Sequence, residues 1–246
     1  MATFAVIIAA AGRSSRFKDE HYKKPFAPLE NRAVWLHSVD RFINRDDVKQ
    51  VILVIAPEDR ESFQMKFGAN VAILGIDVVD GGVERSDSIA NALARVNPAL
   101  EFVAVHDAAR PCLANEWIDR VFSAAEKTGA AILALPIAGT LKRVRAGKTI
   151  EATVPRTDIW EAQTPQVFRR QLLIDAYARR GADPATDDAE VVQRCGHPVS
   201  VVMGSSVNLK ITTKEDLRLA AQALRALPKP KILGPAHPFA DDDLWR

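Results

Sequence analysis

The sequence predicts an α/β fold with a doubly wound, mostly parallel sheet. Apolar runs of strand length alternate with amphipathic stretches of helical period along most of the chain. The first run, residues 4–10, has no polar side chain, which is typical of a strand buried on both faces. One segment, residues 139–157, interrupts the alternation and has the pattern of a protruding β-hairpin.

The alternation assigns each element in turn. The predicted strands span residues 4–10, 50–56, 71–79, 102–107, 130–135 and 199–203. The predicted helices span residues 33–44, 58–67, 86–96, 115–128, 169–180, 186–195 and 214–226. Asn115 and Thr213 each precede acidic residues, which is typical of an N-cap followed by the first turn of a helix.

The hairpin segment reads GTLKRVRAGKTIEATVPRT, with a turn-like trio at Ala146-Gly147-Lys148. Its two faces are too polar for the core of a sheet. Because an isolated hairpin is only marginally stable in water, the segment needs a partner surface. We therefore expect a dimerisation arm over residues 139–157; the alternative is a hairpin that lies on its own domain.

Composition limits the classes of function. The 246 residues are 48% hydrophobic and 26% charged, with a net charge of +2, which argues against nucleic acid as a partner. We expect a single domain over residues 1–227 and a proline-rich C-terminal tail over residues 228–246. No apolar run approaches the length of about 18 residues that a membrane span needs, so we expect no membrane partner. Cys112 and Cys195 share no metal-ligand spacing, which favours a reduced, cytoplasmic protein.

The loop after the first strand has the features of a polyphosphate site. Ala10, Ala11 and Gly12 are small enough for backbone N–H groups to approach an anion, and Arg16 and the Lys23-Lys24 pair follow. A single glycine excludes the dinucleotide fingerprint, and the Walker A pattern is absent. An ordinary strand-to-helix loop with solvated cations is the alternative.

Two further loops carry candidate residues. Gly81-Gly82 follows a predicted strand, and the Ser88 hydroxyl could meet the edge of a base; the alternative is a plain turn with a Ser or Asp N-cap. Asp107 ends a buried strand, where α/β sheets bind their ligands, and a carboxylate suits Mg²⁺. His106 favours a packing or hydrogen-bonding role, and Arg110 could either pair with Asp107 or meet substrate.

The remaining motifs have plain individual interpretations: a surface cation at Arg156, a loop before a helix at 162–166, an N-cap at 186–188 and a strand-end lysine at Lys210. Together the motifs run in order from residue 4 to about 226 as A-A-A-G-x-x-x-R, G-G-x-E-R-x-D-S, V-H-D-A-A-R-P, T-L-K-R, Q-T-P-Q, T-D-D and N-L-K-I-T. In this set the chain resembles the 2-C-methyl-D-erythritol 4-phosphate cytidylyltransferase family of isoprenoid precursor synthesis.

The resemblance implies a Rossmann-like nucleotidyltransferase fold and a homodimer. It implies Mg²⁺-dependent transfer of CMP from CTP to 2-C-methyl-D-erythritol 4-phosphate, a polyol phosphate, with release of pyrophosphate. A sister family that uses ribitol 5-phosphate shares most of these motifs. A non-catalytic nucleotide-binding module and a dinucleotide-dependent oxidoreductase are the alternatives from other classes.

The resemblance also implies a role for each matching residue. The residues implied to bind CTP are Ala10, Ala11, Gly12, Gly82 and Ser88. The implied catalytic cations, which bind the triphosphate or a phosphate, are Arg16, Lys24 and Lys210, and Asp107 is implied to hold Mg²⁺. The residues implied to position the acceptor are Thr140, Arg156 and Thr164, with Arg110 and Thr186 nearby; Thr140 and Arg156 are implied to cross into the partner's site.

The chain departs from the family pattern at three places. Lys23-Lys24-Pro25 stands where the family has P-K, and we assign the triphosphate contact to Lys24 rather than Lys23. Val83 and Val207 stand where acidic residues are usual. These departures bear more on the choice of substrate than on the type of reaction.

Overall fold

A seven-stranded sheet forms the centre of the fold in the computed structural model, which describes residues 1–12, 14–17, 19, 22–181 and 185–228. The strands are β1 (Phe4–Ala9), β2 (Pro28–Leu29), β3 (Arg32–Ala33), β4 (Val48–Ile55), β5 (Asp77–Asp80), β6 (Phe102–Asp107), β7 (Ala130–Pro136), β8 (Leu141–Val144), β9 (Ile150–Val154), β10 (Trp160–Arg169) and β11 (Ser200–Met203). The α-helices are α1 (Val34–Ile43), α2 (Arg60–Leu74), α3 (Arg85–Leu93), α4 (Asn115–Thr128), α5 (Arg170–Ala178), α6 (Asp188–Arg194) and α7 (Lys214–Arg225).

The order of strands in the sheet is β11-β7-β10-β6-β1-β4-β5. β1 pairs in parallel with β4 and β6, β4 pairs in parallel with β5, and β7 pairs in parallel with β11. Within this sheet β10 runs the other way, between β6 and β7. The predicted mostly parallel sheet is therefore confirmed.

Helices cover both faces of the sheet, as a doubly wound fold requires. Side chains of α1, α2 and α4, such as Trp35, Phe63 and Ile118, pack in one core cluster. Side chains of α3, α5 and α6, such as Ile89 and Leu173, pack in the other. The sheet is therefore buried on both sides, and its ligand-binding edge is the one at the carboxyl ends of the parallel strands.

The structure corrects the prediction of a strand over residues 71–79. Helix α2 continues to Leu74 and ends at Gly75, whose φ of +62° is the left-handed conformation of a helix C-cap. Strand β5 begins only at Asp77. A short apolar run such as 71–74 fits a helix as well as a strand. In the structure Val71 and Leu74 pack against the core, whereas Ile73 is exposed.

Strand β10 was missed, because the polar run at 162–166 predicts a loop before a helix. The strand has a register shift against β7 between Ala162 and Gln166. The polar side chains in this stretch, Gln163, Thr164 and Gln166, are nevertheless buried. The hydrogen-bond partners of these side chains are distant in sequence, so no local pattern predicts the strand.

The N-cap predictions had different outcomes. The N-cap at 186–188 is confirmed, since the Asp187 side chain accepts from Glu190 N at the start of α6. Thr213 caps α7, since its side chain accepts from the Asp216 N–H and the Asp216 side chain accepts from Thr213 N. The prediction for Asn115 was wrong. Ala114 has the extended backbone of an N-cap, and Asn115 is the first residue of α4.

The predicted hairpin is present as the antiparallel pair β8 and β9. The turn is closed by hydrogen bonds of Arg145 N to Thr149 O at 3.0 Å and of Lys148 N to Arg145 O at 2.9 Å. Val144 and Ile150, next to the turn, are 53% and 65% exposed, whereas Leu141 and Val154 at the other end of the hairpin are partly buried. The turn end of the hairpin therefore does not pack on its own domain.

Within the described residues, no helix is long and apolar enough to cross a membrane. The prediction of a proline-rich tail over residues 228–246 lies, apart from Pro228, outside the described residues.

Candidate active site

The carboxyl ends of the central strands enclose a cavity of about 330 Å³. It lies between the loop after β1, the loop between β5 and α3, and the loop after β6. Its lining residues are Ala9, Ala10, Ala11, Gly12, Lys24, Pro25, Val54, Gly82, Val83, Glu84, Arg85, Ser88, Asp107, Ala109 and Lys210. All the residues proposed from sequence for CTP, catalysis or metal therefore meet at one cavity, with the exception of Arg16.

The loop after β1 approaches the cavity with its backbone. A Cβ atom built at Gly12 meets no heavy atom within 4 Å, so packing within the protein does not require glycine there. The absence of a side chain at Gly12 leaves the backbone of this loop open to close approach by a ligand. Ser14 ties the loop together, because its hydroxyl accepts from Lys24 N at 3.2 Å and lies 3.4 Å from Gly12 O.

The two adjacent lysines point to different surroundings. Lys23 Nζ forms salt bridges with Glu58 Oε1 at 3.0 Å and Asp59 Oδ2 at 2.8 Å, at the start of α2. Lys24 lines the cavity. Burial lowers the pKa of Lys24, and the charges of Lys210 and Arg16 lower it further against the opposing effect of Asp107.

Arg16 lies beside the main cavity rather than in its lining. It lines a smaller cavity of about 180 Å³ whose other residues include Gly12, Lys24 and Thr212. Gly12 and Lys24 line both cavities, so the two spaces adjoin along the loop after β1. An extended anion lying along this loop can reach the cations of both.

The paired glycines are required by packing within the protein, at Gly81 against the loop after β1 and at Gly82 against the start of α3. A Cβ atom at Gly81 would lie 2.6 Å from that of Ala11, and one at Gly82 would collide with Asp87. The Ser88 hydroxyl accepts from Gly82 N at 3.0 Å and donates to Glu84 O at 3.1 Å. Ser88 therefore holds the loop in shape at the cavity wall.

Helix α3 begins at Arg85, earlier than predicted. Its N-cap is Glu84, which forms a capping box with Asp87. The alternative of a Ser or Asp N-cap is therefore wrong, and Ser88 lies within the first turn.

Asp107 is the carboxylate at the centre of the site. Its Oδ2 atom lies 2.7 Å from Lys210 Nζ and 3.6 Å from Arg110 Nε. Burial by itself would raise the pKa of Asp107, but the charges of Lys210, Arg85 and Arg110 outweigh it and hold the pKa below its usual value. Asp107 is therefore ionised at neutral pH.

His106 and Thr164 form a chain of buried hydrogen bonds that includes the backbone N–H of Asp107. His106 Nε2 lies 3.1 Å from Arg110 O, which can only accept, so Nε2 carries the proton. Burial lowers the pKa of His106 to about 4, so the ring is neutral and its Nδ1 accepts from the Thr164 hydroxyl at 3.0 Å. Thr164 Oγ1 in turn accepts from Asp107 N at 3.1 Å. The hydroxyl of Thr164 is thus committed within the protein, and its side chain does not line the cavity.

Arg110 is buried and bridges three segments. Its Nη1 donates to Asn208 O at 2.7 Å, and its Nη2 lies 3.4 Å from Ala162 O. Together with its approach to Asp107, these contacts fix the loop after β6 against β10 and against the segment that carries Lys210. Of the two interpretations left open by the sequence, the structure supports the pairing with Asp107.

Three residues assigned to the acceptor lie away from the cavity of their own chain. Thr140 and Arg156 are exposed at the base of the hairpin, where the Arg156 guanidinium donates to Ala138 O. Thr186 precedes α6, and its N–H and hydroxyl both donate to Glu190 Oε2, at 2.7 and 2.8 Å.

Sequence reasoning missed Arg85 as a site residue. Its Nη2 lies 2.6 Å from Asp188 Oδ2, and the buried Asp188 also accepts from Tyr177 OH at 2.5 Å. Gln166 Oε1 accepts from Asp188 N at 3.1 Å, which fixes the start of α6. The feature of the sequence that could have identified Arg85 is its position, three residues after the paired glycines that follow a predicted strand.

The residues that could hold a metal are few. Among the residues that the structure describes, no three or more His, Cys, Asp or Glu side chains form a metal-binding group. Asp107 offers a carboxylate at the strand end. One carboxylate fits Mg²⁺, which commonly takes one or two protein oxygens and completes its shell with substrate phosphates and water.

Comparison with known proteins identifies the family. The family model described as 2-C-methyl-D-erythritol 4-phosphate cytidylyltransferase (IspD) matches residues 4–226. The chain belongs to this family. A cytidylyltransferase of that name from Rhodopirellula baltica is 42% identical over 91% of this chain and 95% of the relative. One from Acidobacterium capsulatum is 41% identical over 89% of this chain and 96% of the relative.

Solved structures agree with the assignment. The crystal structure of the cytidylyltransferase from Thermus thermophilus has a TM-score of 0.75 and 32% sequence identity, and covers 92% of this chain and all of the other. A structure of the bifunctional IspDF protein from Campylobacter jejuni has a TM-score of 0.73 and 27% identity, and this chain covers 54% of it. The resemblance and the fold class inferred from the sequence are confirmed.

The departures from the cytidylyltransferase pattern have different surroundings. Val83 is 78% exposed in the cavity lining. Val207 is partly buried and packs against the core. Neither valine supplies a charge to the cavity, whose charged lining residues are Lys24, Glu84, Arg85, Asp107 and Lys210.

Proposed function

We propose that this chain transfers CMP from CTP to 2-C-methyl-D-erythritol 4-phosphate, giving 4-diphosphocytidyl-2-C-methyl-D-erythritol and pyrophosphate. The observation that carries the proposal is the cavity itself. Lys24, Arg85 and Lys210 line one space together with Asp107, at the strand ends where α/β sheets bind ligands. The family membership supplies the identity of the two substrates.

In the proposed reaction, a phosphate oxygen of the acceptor attacks the α-phosphorus of CTP. A new P–O bond forms in line with the bond to the β-phosphate, which breaks, and its electron pair leaves with pyrophosphate. The acceptor oxygen is already ionised at neutral pH, so no general base is needed. Catalysis then consists of holding two anions together and offsetting charge on the phosphorus centre.

We assign the nucleotide contacts by position. Ala10, Ala11 and Gly12 would bind the phosphates through backbone N–H groups, and the loop carrying Gly82 and Ser88 would contact cytosine. Arg16, Lys24 and Lys210 would stabilise charge on the transferring phosphate.

We propose that the acceptor is held between two chains of a homodimer. The exposed hairpin is a surface that requires a partner, and Thr140 and Arg156 at its base would reach the partner's cavity. Thr186 would lie nearby. Thr164 and Arg110, which are buried, would act by positioning Asp107 rather than by touching the acceptor directly.

We propose Mg²⁺ as cofactor, held by Asp107 together with phosphate oxygens. When bound, the ion would offset phosphate charge and orient the phosphates for in-line attack. Asp107 is ionised, lies in the cavity lining and is held from behind by Thr164, which suits a metal ligand. We further propose that the enzyme acts in the cytoplasm, in keeping with its free cysteines Cys112 and Cys195.

The test is pyrophosphate release with CTP, Mg²⁺ and a set of polyol phosphates. The proposal predicts a kcat/KM for 2-C-methyl-D-erythritol 4-phosphate at least about a hundredfold above that for ribitol 5-phosphate, a difference of about 2.7 kcal/mol. Equal or higher kcat/KM with ribitol 5-phosphate would transfer the assignment to the sister activity. No release with any acceptor would refute the proposed enzyme.

A further inference from the structure

The carboxylate that would hold the metal already carries a cation. Lys210 Nζ lies 2.7 Å from Asp107 Oδ2, and Arg110 Nε lies 3.6 Å from the same atom. An ammonium at this distance occupies one of the directions from which a metal ion would approach the oxygen. It also neutralises the charge that would attract the ion.

The two cations differ in their freedom to move. Arg110 is buried and also bonded to Asn208 O and close to Ala162 O, so its position is fixed by several segments. The Lys210 side chain is 39% exposed, and Asp107 is the carboxylate with which it forms its salt bridge. A lysine is a compact charge on a flexible stem, so Lys210 can exchange one oxygen ligand for another at low cost.

The wider cavity favours anions over a free dication. Lys24, Arg85 and Lys210 line it, against the acids Glu84 and Asp107. A bare divalent ion entering this space would be repelled by the lining cations and by buried Arg110. A metal–nucleotide complex with net negative charge would be attracted by the same groups.

The described protein also lacks the ligands to complete a metal shell. No group of three or more His, Cys, Asp or Glu side chains is present in the part of the chain that the structure describes. Mg²⁺ requires near-octahedral oxygen coordination and dehydrates reluctantly. The phosphates of the nucleotide are the missing oxygens.

We propose that Lys210 takes the place of the metal on Asp107 in the free protein, so that a divalent ion binds there only together with the nucleotide. The triphosphate would draw Lys210 away from Asp107 Oδ2 and leave that oxygen to the ion. Lys210 thus has two successive partners, the carboxylate before nucleotide binding and a phosphate after it. This inference rests on the proposed function, because it takes CTP as the ligand and Asp107 as the metal contact.

The test measures binding of Mn²⁺, by water-proton relaxation enhancement, to the full chain without acceptor. Relaxation enhancement separates protein-bound Mn²⁺ from Mn²⁺ bound to CTP alone. We expect no enhancement from the wild-type protein with Mn²⁺ only, and a clear enhancement once CTP is added. Lys210→Met should bind Mn²⁺ without CTP at least about tenfold more tightly than the wild type, or about 1.4 kcal/mol. The double variant with Asp107→Asn should lose that gain.

Lys24→Met is the matched control, because it removes the same charge from the same cavity without breaking a salt bridge to Asp107. It should gain less than about a third of what Lys210→Met gains. Lys210→Gln, with its shorter neutral side chain, should reproduce the gain if Lys210→Met folds poorly.

Three results would overturn the inference. One is nucleotide-independent Mn²⁺ binding to the wild type that Asp107→Asn abolishes. Another is an equal gain in the Lys24 and Lys210 variants, and the third is a ternary enhancement that Asp107→Asn leaves unchanged. Because no acceptor is present, these outcomes are separate from a failure of the proposed function, which would appear as absent pyrophosphate release.

Discussion

The adjacent lysines Lys23 and Lys24 provide a matched pair of perturbations. Each is replaced by methionine, which keeps most of the stem length and removes the charge. Lys24 lines the cavity, and no carboxylate among the described residues forms a salt bridge with it. Lys23 forms its salt bridges with Glu58 and Asp59 outside that cavity.

The expected magnitudes follow from these surroundings. Loss of a cation that stabilises charge in the transition state commonly costs about 10²–10³ in kcat, or about 3–4 kcal/mol, so we expect this loss for Lys24→Met. The Lys23 side chain is 28% exposed, that of Glu58 66% and that of Asp59 14%, so solvent screens the pair with Glu58 more than the pair with Asp59. Loss of both pairs should cost about 1–2 kcal/mol of stability. For a chain of this size each kcal/mol corresponds to a decrease in Tm of about 2–4 °C.

The assays are steady-state pyrophosphate release and thermal unfolding, measured on both variants. Lys24→Met should lose activity and keep its Tm, whereas Lys23→Met should keep kcat within about threefold and lose a little stability. The reasoning fails if Lys24→Met retains near-normal kcat. It fails equally if Lys23→Met is the inactive variant, because the triphosphate contact would then belong to Lys23.

Three further predictions follow from the support of Asp107 and from the hairpin. Thr164→Val should leave Asp107 N and His106 Nδ1 without their buried partner, lowering the free energy of unfolding by about 1–3 kcal/mol in urea titrations, and an unchanged midpoint would contradict it. The folded-state pKa of His106, about 4, lies below its ordinary 6.5, so the unfolded chain binds the proton first. Stability should therefore fall as pH decreases from 6.5 to about 4, by up to about 3 kcal/mol, and His106→Gln should remove that part of the pH dependence. If Arg156 serves the partner's cavity, mixing inactive Lys24→Met and Arg156→Ala subunits should restore about a quarter of wild-type activity. Half of the dimers would then contain one subunit of each kind, and each of these dimers would have one intact site. No restoration of activity would exclude the shared site.

The sequence predicted those parts of the fold whose signal is local. The uninterrupted apolar run of β1 identifies a buried strand, and its side chains pack alternately into the two core clusters on the two faces of the sheet, which explains why the run has no polar residue. The hairpin followed from alternation around Gly147. In both cases the residue pattern that determines the element lies within a short stretch of sequence.

Elements whose cause is distant were not predictable in the same way. Buried Gln163 and Gln166 are compatible with β10 because they bond to Ser205 and Asp187, which lie 42 and 21 residues away. Without those partners, the same polar run is a reasonable loop. The prediction for the end of α2 was wrong for a related reason. The apolar run at 71–74 has no local sequence feature that distinguishes a helix from a strand.

The same distinction holds within the site. The motifs in the sequence identified Asp107, Lys210 and the loop after β1 as candidate site residues, and the order of the strands in the sheet places them around one cavity. Spacing could not reveal that Ser88 and Thr164 use their hydroxyls within the protein, because their partners are fixed by tertiary structure. Arg85 was missed because Asp188, the acid that holds it, lies 103 residues further along the chain.

The most direct test of the central claim follows the oxygen atoms of the acceptor. The enzyme is incubated with CTP, Mg²⁺ and 2-C-methyl-D-erythritol 4-phosphate whose phosphate carries ¹⁸O, and the products are separated and analysed by mass spectrometry. Attack by the acceptor phosphate on the α-phosphorus predicts that all of the label stays in the cytidylylated product and that pyrophosphate carries none. Label in pyrophosphate, or formation of CMP and pyrophosphate without a cytidylylated product, would contradict the proposed transfer.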